Sequence, residues 1–132
     1  MSKTTELFDR GLKVRREVLG TEYVDAALEG ASPFTGDFQT FVTECAWGSV
    51  WARPGLDRKT RSMLTIAMLA ALGQHEELKL HLRATQRTGV SREEVKEILL
   101  QAAVYAGVPA ANSAFHHAEV VWRQLEKEAR KP

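Results

Sequence analysis

Apolar residues recur three and four positions apart along most of the 132-residue chain. That spacing predicts helices rather than strands. A first helix is expected from Thr4 or Thr5 to Leu19, with Leu7, Gly11, Val14 and Val18 on one face and Gly20 as its stop. Thr21 is placed to cap a short second helix reaching Glu29, and ASPFTG at 31–36 reads as a loop. A third helix is expected from about Asp37 to Trp51. It carries two apolar stripes, one of Phe38, Phe41, Val42 and Cys45 and one of Trp47, Val50 and Trp51. ARPG at 52–55 breaks it, and Asp57 then caps a helix that runs to Leu72 and stops at Gly73. The fifth helix spans His75 to Thr88, ended by Gly89. Ser91 and Glu94 form a capping box for a sixth, Arg92 to Ala106, closed by Gly107 and Pro109. The last starts near Ala110 and reaches Ala129, with Ala111, Ala114, Phe115, Ala118, Val121, Trp122 and Leu125 at 3-4 spacing. Residues 127–132 read as a solvated tail.

These elements predict a single all-α domain over residues 1–132, a bundle of six or seven helices with short loops. Two helices have more apolar surface than one small core needs. Met63 to Leu72 is apolar nearly all round, and the third helix has its two stripes. A helix apolar on several faces must be buried on several faces, so a homo-oligomer is expected.

Composition narrows the function. The chain is 44% apolar and 27% charged, ordinary for a globular protein. Eighteen basic residues against seventeen acidic ones leave a net charge of +1, with no global field to draw in nucleic acid. The single cysteine, Cys45, excludes an internal disulfide, a CxxC redox pair and a cysteine-based zinc site, and reads as a buried structural thiol. The first twenty residues are charged and lack the apolar core of a secretory signal. The apolar run 63–72 is too short to span a bilayer. The expected protein is soluble and cytoplasmic.

Three constellations could carry chemistry. In QHEELKLH (74–81), helical rotation brings Gln74, Glu77 and His81 within roughly 60° of one another, beside the apolar stripe Leu78, Leu82, Thr85. A half-buried Glu77–His81 pair would poise the imidazole near neutral pH for proton transfer; a surface pair with a core histidine is the structural alternative. His75 and His81 are six apart and on different faces, so no HExxH-type metal site is expected. Arg53, Arg58, Lys59 and Arg61 surround a helix N-terminus, where cations and free N–H groups together suit a carboxylate or phosphate. Asn112, His116, Glu119 and Arg123 form a polar stripe on the last helix, with His116 and His117 flanking its apolar face. Trp47 and Trp51 could line a pocket, although aromatics at this spacing more commonly build a core.

Pattern alone ends there, but the wording of the chain goes further. WARPGLD (51–57), GQHEELKLHLRA (73–84) and YAGVPAANSAF (105–115) closely resemble the carboxymuconolactone decarboxylase family. The likeness runs from about Phe34 to His117. It implies an alkylhydroperoxidase-like helical fold assembled into a ring-like hexamer. Redox relatives of that fold carry a CxxC and a histidine on the helix that here reads QHEELKLH. Gln74 and Glu77 stand at the two cysteine positions and His81 at the histidine, so thiol redox chemistry is not expected.

The implied reaction is decarboxylation of 4-carboxymuconolactone to the β-ketoadipate enol-lactone, in protocatechuate breakdown. The departing carboxylate is conjugated through a double bond to the lactone carbonyl, so the substrate is its own electron sink and no cofactor or metal is expected. For such a reaction, carboxylate binding is expected of the Arg53, Arg58 and Arg61 region, and oxyanion contacts of a histidine or Gln74. Proton delivery is expected of His81 tuned by Glu77, with His75 or His116 equally able to be the acid, and an apolar wall is expected of Trp47 or Trp51. The competing reading is a non-catalytic or differently specific lactone-binding oligomer.

Overall fold

The structure is a computed structural model that describes residues 4–131. Met1–Lys3, at the head of the segment read for a signal, and Pro132, at the end of the expected tail, lie outside the described residues. Those residues form seven α-helices and one π-helix, with no strand. No helix among them is long and apolar enough to cross a membrane. The chain divides into two compact units, residues 1–58 and 59–132.

In the first unit, α1 spans Glu6–Leu19, α2 Thr21–Glu29 and α3 Gly36–Phe41, and the π-helix follows at Val42–Trp51. Thr5 caps α1 by accepting a hydrogen bond from the Phe8 N–H. Gly20, at φ 96°, ends α1 and begins α2, so Thr21 is the first helical residue and not the cap.

The expected single helix over 37–51 becomes two. Beyond Phe41 the backbone bonding widens, and the Ala52 N–H reaches the Trp47 carbonyl at 3.0 Å. Here α1 and the π-helix touch backbone to backbone. A Cβ on Gly48 would sit 2.5 Å from the Leu7 carbonyl oxygen, and one on Gly11 would overlap the Thr43 carbonyl. Thr43 is fully buried; its hydroxyl donates to the Gln39 carbonyl at 2.8 Å and accepts from the buried Arg15 guanidinium at 3.1 Å.

The predicted stripe of Phe38, Phe41, Val42 and Cys45 is not a buried one, and its first two residues precede the change of helical phase. Phe38, Phe41 and Cys45 are exposed, so Cys45 is not the buried thiol expected from an unbroken α-helix. Trp47 is buried and stacks on half-buried Trp51, with centroids 4.7 Å apart.

The second unit contains α4 (Arg58–Leu72, from its second residue), α5 (His75–Thr88), α6 (Arg92–Ala106) and α7 (Val108–Ala129). Its core joins Ile66 and Ala70 of α4, Leu78 and Leu82 of α5, Val95 and Leu99 of α6, and Ala114, Ala118 and Val121 of α7. The Thr88 hydroxyl donates to Ser62 at 2.9 Å inside this core. The Ser91–Glu94 capping box is present. Pro109, read as a terminator of α6, lies instead in the first turn of α7, where its missing N–H leaves nothing unsatisfied. Met68 and Leu72 of α4 stay largely exposed, in keeping with the excess of apolar surface on that helix, and so does Tyr105 of α6.

The Gly11–Gly48 contact generates a test. Alanine normally stabilises a helix relative to glycine by about 1 kcal/mol. Here Gly11→Ala and Gly48→Ala should each destabilise by about 2 kcal/mol or more, because backbone must move. Gly36→Ala, with open space around the new methyl, should be neutral or stabilising. Urea unfolding of the three variants reads the signs.

Candidate active site

The turn between α4 and α5 positions the first candidate group. Gly73 takes φ 69°, the left-handed conformation that closes α4. Gln74 then serves as the N-cap position, without a side-chain capping bond, and His75, Glu76 and Glu77 make the first turn of α5. Acidic residues suit that end of the helix dipole.

The two members of the expected half-buried Glu77–His81 pair differ in burial. Gln74, His75 and Glu77 are exposed, whereas His81 is 6% exposed and lies on the face that buries Leu78, Leu82 and Thr85. Loss of water pushes the His81 imidazole down to about 4. Burial is thus the cause of that shift. At pH 7 His81 is a neutral ring, able to donate one N–H and holding no extra proton.

A histidine pair lies at the start of the same helix. His117 Nε2 on α7 is 2.9 Å from His75 Nδ1 on α5, with ring centroids 4.8 Å apart. His116 is exposed, its ring 5.9 Å from that of His117. The sequence reading named His75 and His116 and left His117 as a flanking residue. A signal for it existed: His117 is three residues beyond buried Ala114 and four before buried Val121, so it shares their side of the helix.

The remaining candidates divide between the two units. Arg58 binds Glu17 at 3.2 Å within the first unit, and Lys59 binds Glu94 at 2.8 Å within the second. Both pairs are partly exposed and tie up two of the four cations only weakly. Arg53 is exposed, Arg61 is half-buried, and both have interacting groups of their own. Asn112, His116, Glu119 and Arg123 are exposed, as a polar outer face would be.

A cleft of about 610 Å³ opens between α4 and α6, lined by Met63, Leu64, Met68, Ile98 and Tyr105 with Thr60 and Gln101 among the polar contributors. It includes none of the candidate residues and has no cation to receive a carboxylate. Among the described residues, no group of three or more His, Cys, Asp or Glu side chains could hold a metal ion.

Against this geometry, comparison with known proteins is informative. The profile of the carboxymuconolactone decarboxylase family matches residues 36–120. A 4-carboxymuconolactone decarboxylase of Acinetobacter baylyi is 51% identical over 118 residues, covering 89% of this chain and 88% of that protein. A nitrosuccinic acid decarboxylase of Metarhizium robertsii is also 51% identical, over 108 residues, 82% of this chain and 76% of its own length. A 4-carboxymuconolactone decarboxylase of Pseudomonas putida is 46% identical over 41 residues, 31% of this chain.

The buried His81 has a measurable consequence. Its folded pKa lies below the ordinary 6.5, so the unfolded chain takes up a proton first as pH falls. The stabilisation from burying the neutral ring is complete above pH 6.5 and is lost progressively down to pH 4. The loss should total about 3 kcal/mol. Chemical unfolding at pH 7 and pH 4 should show it, and His81→Leu should flatten that part of the profile.

Proposed function

The chain belongs to the carboxymuconolactone decarboxylase family, and from that premise we propose that it decarboxylates 4-carboxymuconolactone to the β-ketoadipate enol-lactone and CO2. The observation that carries this reading is the 51% identity to a 4-carboxymuconolactone decarboxylase over nearly the whole chain.

In the proposed reaction the bond from the ring carbon to its carboxylate breaks, and the electron pair passes through the ring double bond into the lactone carbonyl. A proton then adds to the carbon beside that carbonyl. Arg53, Arg58 and Arg61 are assigned to the two substrate carboxylates, where guanidinium groups give directed, charge-assisted bonds. Gln74 and the N–H of His81 are assigned to the carbonyl oxygen as it becomes negative. Trp47 or Trp51 supplies the apolar wall that favours neutral CO2. Burial of His81 supports hydrogen-bond donation there and argues against the proton-donor role first expected of it.

A specific observation favours a second reading. The equally similar nitrosuccinic acid decarboxylase acts on a compound whose nitro group, like a lactone carbonyl, can accept the electron pair of a departing carboxylate. The shared requirement is a substrate with its own sink and a second anionic group.

The protein is proposed to work in the cytoplasm as a homo-oligomer, a ring-like hexamer. The apolar cleft between α4 and α6 and exposed Met68, Leu72 and Tyr105 support association.

Purified protein mixed with freshly generated 4-carboxymuconolactone and a chelator should release CO2 well above the spontaneous rate. Faster turnover of nitrosuccinic acid would replace the proposed substrate while keeping the reaction class, and no release from either would overturn both. His81→Leu, which leaves no side-chain donor, should lower kcat by about 10²–10³ with little change in KM, the usual effect of removing one oxyanion donor. Light scattering after size exclusion should give an oligomer for the wild type and a smaller species for Met68→Glu.

A further inference from the structure

The reaction proposed above ends with a proton delivered to carbon, and His81 is poorly suited to deliver it. The ring is buried in the α5 core face and holds no extra proton at neutral pH. The chain's other three histidines form one cluster where α5 begins against α7, and two of them touch through ring nitrogens.

At 2.9 Å, an N–H of one ring must point at the lone pair of the other. The two rings therefore cannot both be cationic in this arrangement. The pair holds at most one proton beyond neutrality, shared along a charge-assisted N–H···N bond. The surroundings agree. His117 is held below the ordinary histidine range, first by burial and then by the charges of His75 and Lys79 on α5 and His116 on its own helix, with Glu76 opposing.

The bond also distinguishes the two rings. It occupies Nδ1 of His75 and Nε2 of His117. His75 is left with Nε2, the nitrogen farther from its backbone, whereas His117 is left with Nδ1, beside its own main chain. His75 is exposed and half-buried His117 stands behind it.

We propose that His75 and His117 form a one-proton dyad in which His75 Nε2–H protonates the ring carbon after CO2 leaves and His117 fixes the tautomer and shares the charge. The inference rests on the decarboxylase reading. In this step the Nε2–H bond of His75 breaks and a C–H bond forms with the electron pair of the dienolate. The cationic dyad returns to neutral with its Nδ1–H still bonded to His117 Nε2, and water restores the proton. His75 is the catalytic residue and His117 a positioning residue. A substrate carrying two carboxylates would favour the cationic form of the dyad by simple attraction.

Two measurements test the dyad separately from the overall reaction. The first is a nitrogen-15 NMR titration of the histidine side chains in the protein alone. The wild type should show the pair taking up protons in two well-separated steps, and His117→Gln should leave a single step. Independent, superimposable titrations in the wild type would overturn the dyad whatever the enzyme's substrate. The second is the pH–rate profile with 4-carboxymuconolactone. His75→Gln should lower kcat at least 100-fold. His117→Ala should lower kcat about tenfold with KM within twofold and move the limb of the profile set by the acid, and His117→Asn, which keeps an acceptor for the His75 Nδ1–H, should recover part of the loss. Wild-type kcat and an unmoved profile in His117→Ala would overturn the positioning role. Failure of the wild type to turn over the lactone at all would count against the substrate reading, leaving the titration to decide the dyad.

Discussion

One face of one helix constrains the rest of the second unit. Leu78, His81, Leu82 and Thr85 lie together on α5 and are buried together. The core cannot form without drawing an imidazole out of water. Desolvation of a charged ring would cost several kcal/mol, so the ring enters as the neutral species. The column of alanines on α7, Ala111, Ala114 and Ala118, keeps that helix face slim where the core is built. The same helix then offers His117 at the edge of its buried side, within reach of the first residue of α5. Packing thus sets both a neutral histidine inside and a coupled pair at the rim.

The first unit is governed by a different constraint, the absence of side chains at Gly11 and Gly48. Where two helices approach closely enough for backbone to meet backbone, neither can carry a Cβ at the contact. The π-helix begins at the same place, with Thr43 buried between Arg15 and the Gln39 carbonyl. π-Helical turns are uncommon, and a ten-residue run is longer than the single-turn bulges in which they usually occur.

That contact also shows where the sequence was legible and where it was not. Caps and stops are written in single residues, so Thr5, Gly20, Gly89 and the Ser91–Glu94 box could be read directly. The all-helical class followed from periodicity. The π-helix did not, because a 3.6-residue period carries no sign of wider backbone bonding, and that period also placed Phe38, Phe41 and Cys45 on a buried stripe they do not form. At the candidate site, spacing correctly brought His81 to an apolar face but overstated how far Glu77 would follow it. A rotation of roughly 40° between i and i+4 is enough to leave one residue in water and the other in the core. His117 needed a partner from another helix before its neighbour His75 gave it meaning.

Separating a neutral histidine from a proton-holding pair has a physical rationale in the proposed chemistry. During loss of CO2 the substrate's charge does not change in total; it moves from a carboxylate to the lactone oxygen. A cation at His81 would attract the ground-state dianion almost as strongly as the dienolate, and interactions equal in both states do not raise kcat. A neutral N–H held against the carbonyl gains most as that oxygen becomes negative. Keeping His81 uncharged through burial would therefore make the contribution proposed for it selective for the transition state. The proton must then come from elsewhere, and it must be renewed each turnover. A buried ring exchanges protons with water slowly, whereas the His75–His117 pair stands at the surface and can reload. The two demands, selective stabilisation of an oxyanion and repeated supply of a proton, call for opposite solvent environments, and α5 spans both within six residues.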